Sequence, residues 1–147
     1  MFGRKEQQRV RVLVADDHLA VAECLRAVLE PEFNVIATVG DGNALVAAAV
    51  ALTPDVIVTD IAMPGLDGIA AAGEILRRHP RARIVFVTAH NDAELVQKGL
   101  AIGALGYVLK LTAGEELVPA IHAALRGKKH VSPLLANGQG RGVTIEF

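Results

Sequence analysis

The chain has 147 residues, 52% of them hydrophobic, which suffices for one packed core and is too apolar for a disordered segment. Against 16 Asp and Glu it sets 15 Lys and Arg, a formal net charge of -1 that gives no overall attraction for nucleic acid or an anionic membrane. The single cysteine, Cys24, excludes an internal disulfide and, with no secretory leader pattern, leads to the expectation of a cytoplasmic protein; the longest apolar run, Ala44 to Leu52, is about half of a membrane-spanning helix.

In chain order, Met1 to Gln8 is polar and basic and reads as an unstructured lead-in. Val10 to Ala15 predicts a first strand, followed by Asp16, Asp17 and a helix over Leu19 to Leu29, where Cys24 reads as a small packing residue. Val35 to Val39 predicts the second strand and Asn43 to Leu52 an alanine-rich helix with Asp41 as N-cap. Val56 to Thr59 is the third strand; Asp60 ends it, and Pro64-Gly65 turns the chain toward a helix over Gly68 to Arg78 capped by Asp67. Ile84 to Val87 is the fourth strand, ended by Thr88, before a helix over Ala93 to Ile102 capped by Asp92. Tyr107 to Leu109 is the fifth strand, ended by Lys110, and Glu115 to Arg126 the last helix, with Thr112 and Glu115 spaced as a capping box. Lys128 to Phe147 has three glycines, a Ser-Pro pair and no helical period, so it reads as a linker or loose tail whose closing VTIEF is frayed rather than a strand.

Several strands are apolar at consecutive positions, the pattern of strands covered on both faces. Five β-α units in this order predict an α/β, doubly wound parallel sheet with right-handed crossovers. Ligands of such sheets bind outside the carboxyl ends of the strands, where Asp16, Asp17, Asp60, Thr88 and Lys110 all fall. Singly, each has an ordinary use as cap, turn former, strand residue or solvated lysine. Jointly they select three carboxylates, one hydroxyl and one amine at one edge. Two carboxylates about 4 Å apart repel by about 4 kcal/mol at an effective dielectric near 20, so the pocket needs a cation or a raised pKa. Mg2+ suits it, because that ion takes a few carboxylates, keeps water and accepts phosphate oxygens.

The stretches VLVADDH, VIVTDIAMPGLDG, IVFVTA and GALGYVLK resemble the receiver domain of two-component response regulators, from about Arg9 to Arg126, with ADDH and GYVLK most similar to the NarL/LuxR-type subgroup. The resemblance implies a CheY-like, flavodoxin-like (βα)5 fold with a five-stranded sheet in the order 2-1-3-4-5 over residues 9-127. It further implies Asp60 as phosphoacceptor, Mg2+ held by Asp16, Asp17, Asp60 and the Ala62 carbonyl, Lys110 as the phosphate-binding lysine, and Thr88 and Tyr107 as switch residues. Tyr107 would turn into space vacated when Thr88 is drawn to the phosphoryl group. The implied partners are a sensor histidine kinase and a second copy on phosphorylation, and the implied role is signalling rather than turnover of external substrates.

The family pattern has departures. Ala62 and His90 occupy positions that modulate phosphoryl lifetime in the family, and Leu111 stands where many receivers have a proline after a cis bond. His18 reads as a helix-start residue orienting the loop rather than as a metal ligand. A haloacid dehalogenase-type phosphatase wants a second carboxylate where Ala62 stands, and a cobalamin-binding loop wants a glycine where Val21 stands. About twenty residues follow Gly127 without the paired helices of a helix-turn-helix unit, so no direct DNA binding by these residues is expected. Transcriptional output through a missing helix-turn-helix domain, or a stand-alone receiver signalling to a protein partner, are the two expected settings.

Overall fold

Three aspartates start helices as their spacing predicts, because each side chain accepts an otherwise orphaned N–H of a first turn. Asp41 accepts from Ala44, Asp67 from Ala70, and Asp92 from Glu94 and Leu95. The fourth expected device does not form: Thr112 makes no cap hydrogen bond and donates instead to the Leu109 carbonyl at 3.4 Å. A 3-10 turn over Lys110–Thr112 precedes that helix and takes up Thr112, the residue that would have capped it.

The computed structural model describes residues 9–89, 92–133 and 143–145; the expected lead-in, His90 and most of the tail lie outside the described residues. The elements are β1 Arg11–Ala15, α1 Leu19–Leu29, β2 Asn34–Val39, α2 Gly42–Leu52, β3 Val56–Thr59, α3 Gly68–Arg78, β4 Ile84–Thr88, α4 Ala93–Ala101, β5 Gly106–Leu109, α5 Ala113–Leu125, β6 Lys129–Val131 and β7 Val143–Ile145. The first five strands are parallel in the expected order 2-1-3-4-5. Alternate strand residues divide two cores. Leu13, Ile57, Ile84 and Phe86 pack with Leu45, Ala72 and Ile75 of α2 and α3, while Val12, Val58, Val85 and Val108 pack with Leu25 and Leu29 of α1 and Leu117 and Ile121 of α5. This two-sided cover is why the strands read as unbroken apolar runs.

Two expectations are corrected. The sheet has seven strands, not five: β6 adds to β5 in parallel and β7 to β6 antiparallel. The tail expected from Lys128 thus begins as a strand, and VTI of the closing VTIEF is strand too. Neither segment has a long apolar alternation of its own; each is a three-residue strand whose order comes from the edge it pairs with. No helix among the described residues is long and apolar enough to cross a membrane.

Candidate functional site at the carboxyl end of the sheet

Register brings the acidic residues together. Ala15 of β1 pairs with Thr59 of β3, so the next residues, Asp16 and Asp60, leave adjacent strands side by side. Adjacent strands lie about 4.8 Å apart, which places both carboxylates in one pocket. Thr88 ends β4, the next strand, and pairs with Leu109 of β5, so Lys110 starts two strands from Asp60. A lysine side chain is long enough to span that gap. Its Nζ lies 2.9 Å from Asp60 Oδ2, a hydrogen bond, and 2.8 Å from Asp16 Oδ2, an ion pair without hydrogen-bond alignment.

The remaining carboxylate oxygens are held by main chain. Asp60 Oδ1 accepts from Ile61 N at 2.7 Å, and Asp16 Oδ1 accepts from His18 N at 2.9 Å. Asp16 and Asp60 are only 3% and 5% exposed, so the cation demanded by their mutual repulsion stands in the protein itself, as Lys110. Burial works against the Lys110 charge, but its close pairing with the Asp16 and Asp60 carboxylates and their negative charge outweigh it and raise its pKa above the ordinary lysine value. The Lys110–Leu111 peptide is trans, and Leu111 itself is exposed.

Asp17 is exposed beside the pocket, and Ala62 lies exposed on the loop two residues past Asp60. His18 is the N-cap position of α1 but caps nothing with its side chain; its Nδ1 lies 3.4 Å from Asp16 Oδ1 and 3.2 Å from Asp17 Oδ1. Asp16, Asp17 and His18 each offer a ligand atom within 4.8 Å of the others. The donor set fits a hard divalent ion: two carboxylates, one of them with a buried oxygen lacking a hydrogen bond, and solvent at Asp17 for the waters such an ion keeps.

Thr88, the last residue of β4, is fully buried. Tyr107 is fully buried too, its ring 5.6 Å from that of Phe86 at 54°, and its hydroxyl has no hydrogen-bond partner among the described residues. The Tyr107 ring thus lies inside the fold, against Phe86. Burial, with lesser contributions from the charges of Asp92 and Asp60, pushes the Tyr107 pKa well up. Cys24 is exposed on α1, against the packing role expected of it.

Sequence reading missed Gly68. A Cβ there would stand 2.0 Å from the Asp60 carbonyl oxygen, and its N–H donates to Ile61 O at 2.7 Å, so the start of α3 is pressed against the strand end that carries Asp60. Gly65 has φ +74°, the left-handed turn that the Pro-Gly pair signals. Spacing alone does not distinguish a glycine needed for close approach from one that merely begins a helix.

Comparison with known proteins decides the family, since the profile of the response regulator receiver domain matches residues 12–122. The chain belongs to the response regulator receiver family. The receiver is 40% identical over 124 residues to the uncharacterized transcriptional regulatory protein YxjL of Bacillus subtilis, covering 83% of this chain and 57% of that protein. A LuxR-family two-component response regulator from Aurantimonas sp. SI85-9A1 superposes with a TM-score of 0.83 at 34% identity, over 89% of this chain and 95% of that one. The isolated RcsB receiver of Salmonella enterica serovar Typhimurium, solved with the phosphomimetic BeF3-, gives 0.80 at 31% identity, over 88% and 97%. A further RcsB structure, two dimers bound to two parallel DNAs, gives 0.81 at 31% over 90% of this chain and 68% of that one. The subgroup is thus the NarL/LuxR type, as the ADDH and GYVLK stretches imply. The chain spans less than two thirds of the length of the curated relatives first matched, 57% of YxjL and 61% of LiaR of Bacillus subtilis. Receivers of this family are signalling domains, are phosphorylated by histidine kinases and generally bind Mg2+ at their acidic site.

Proposed function

We propose that Asp60 accepts a phosphoryl group from the phosphohistidine of a sensor kinase, with Asp16, Asp17, Asp60 and the Ala62 carbonyl as the residues that would hold Mg2+. The observation that supports this most is the buried pair of carboxylates sharing one ammonium, Lys110 Nζ at 2.8 Å from Asp16 and 2.9 Å from Asp60. An Asp60 oxygen attacks phosphorus, the P–N bond to the kinase histidine breaks, the leaving imidazole keeps the electron pair, and an acyl phosphate forms on Asp60. Lys110 moves its hydrogen bond from Asp60 to a phosphoryl oxygen, where it neutralises charge developed in transfer. The Ile61 N–H keeps the other Asp60 oxygen in place, so the nucleophile needs no reorganisation. Bound Mg2+ would supply further charge neutralisation on the phosphoryl oxygens.

The new group adds about -1.5 to -2 charges and acceptor oxygens, toward which the Thr88 hydroxyl is drawn. With Tyr107 already inside, the switch consists in fixing that ring and the buried Thr88 in one arrangement rather than in moving the ring from outside. The proposed output is control of transcription, since the relatives are named as transcriptional regulators, with a homodimer on phosphorylation as the active form and the cytoplasm as its location.

Incubation with acetyl phosphate and Mg2+, followed by mass spectrometry of the modified peptide, tests the chemistry. One label per chain on Asp60 is expected, and none in Asp60→Asn; retained labelling elsewhere would refute the assignment.

A further inference from the structure

A second polar cluster is buried behind β5, outside the acid and lysine pocket. Ser132, one residue past β6, is fully buried. Its N–H donates to Tyr107 O at 2.8 Å as a rung of the β5–β6 ladder. The next ladder acceptor is a side chain: Leu109 N donates to Ser132 Oγ at 3.0 Å. That hydroxyl in turn donates to Glu116 Oε1 of α5 at 3.0 Å, and His130 Nε2 of β6 lies 3.1 Å from the same oxygen. The Glu116 and His130 side chains are 15% and 13% exposed.

Ser132 therefore joins three elements at one point, with both its donor and its acceptor capacity used. A buried polar group so satisfied holds one geometry, since any slip leaves an unpaired group in a low dielectric. The residue it holds is Leu109, immediately before Lys110 and two after Tyr107. Pro133, lacking an N–H, ends the pairing directly after the clamp.

We propose that Ser132, clamped by Glu116, is a positioning residue for Lys110, so that seating of β6 in the sheet and charge neutralisation at Asp60 depend on one another. The inference rests on the reading of Asp60 and Lys110 given above. If β6 seating favours the Lys110 geometry that a phosphoryl group needs, then the phosphoryl group favours β6 seating by the same factor. The pocket's state is thereby passed to the segment that leaves α5, from Asp60 and Lys110 through the Leu109 main chain to Ser132 and Glu116.

The test uses the full chain carrying Ser132→Ala, Glu116→Gln or Glu116→Leu. Labelling by acetyl phosphate with Mg2+ is followed across donor concentrations, and amide exchange of residues 129–132 is measured with and without beryllofluoride. Ser132→Ala and Glu116→Leu are expected to lower the saturating rate constant about tenfold, as small misplacements of a reacting group do, with a smaller change in half-saturating donor concentration. Glu116→Gln, which keeps an oxygen acceptor for the Ser132 hydroxyl, should stay near wild type. Beryllofluoride should slow β6 exchange in wild type and leave it unchanged in Ser132→Ala. A folded Ser132→Ala that labels at the wild-type rate, with the beryllofluoride effect intact, overturns the inference and leaves the Asp60 assignment standing. Should Ser132→Ala fail to fold, equal rates for Glu116→Gln and Glu116→Leu overturn it, and a lower rate for Glu116→Leu supports it. Absence of labelling in wild type overturns both readings.

Discussion

At the carboxyl end of the sheet, Asp16 and Asp60 are almost fully buried and share one ammonium; in the last turns of α3, Glu74 pairs with Arg77 and Arg78, whose side chains are 76% and 54% exposed. Both are carboxylate–cation clusters of similar size. Water screens the second and is excluded from much of the first, so Coulomb attraction and desolvation cost are both large in one and small in the other. The pocket is a place where loss of one charge leaves others stranded, and the helix end is a place where it leaves them solvated.

Removing the buried cation should break the comparison most. Lys110→Met leaves two buried carboxylates without their partner, and a loss of about 3–5 kcal/mol in urea unfolding at neutral pH is expected, partly restored by Mg2+. Wild-type stability would mean that the pocket is wet. The same pair predicts an alkaline limit. Lys110 and Tyr107 both have raised pKa values in the fold, so the stability each contributes is full below its unfolded value and is lost as pH rises through the folded one. Unfolding free energy should fall above about pH 10, the ordinary tyrosine and lysine range, and fall less steeply in Tyr107→Phe.

Gly68→Ala forces a methyl against the Asp60 carbonyl, and a cost of about 1–3 kcal/mol is expected with slower labelling, because the strand end must shift. Melting and labelling measured on one sample check it; unchanged values for both would mean that α3 yields instead. Asp60→Asn keeps an acceptor for Ile61 N–H and leaves Asp16 to Lys110, so its stability should differ from wild type by about 1 kcal/mol or less while labelling is lost. The smallest effect belongs to the solvated cluster: Glu74→Gln should stay within about 0.5 kcal/mol. A larger loss there would erase the distinction between the two ends.

Most of the first five units was legible because their signals are local. The aspartate caps, the Pro-Gly turn and the apolar runs each need only a few neighbouring residues to be recognised, and the structure places them within a residue or two of their expected bounds. The failures share a cause as well. Thr112 and Glu115 have the right spacing for a cap, but the 3-10 turn after Lys110 takes the chain elsewhere. Lys129–Val131 carries no strand pattern, and its order comes from β5. Gly68 looks like any helix-start glycine until the Asp60 carbonyl is beside it.

By itself the sequence determined the alternation of strands and helices and the strand-end positions of Asp16, Asp60, Thr88 and Lys110, because periodicity and turn chemistry act over a few residues. Only the tertiary structure decided that Lys110 bridges the two buried acids, that Tyr107 already lies inside, and that Ser132 is tied to the strand bearing Lys110. The polar contacts among these join residues 50, 94 and 23 positions apart in sequence, and their geometry follows from sheet register and burial, which no short stretch of chain contains.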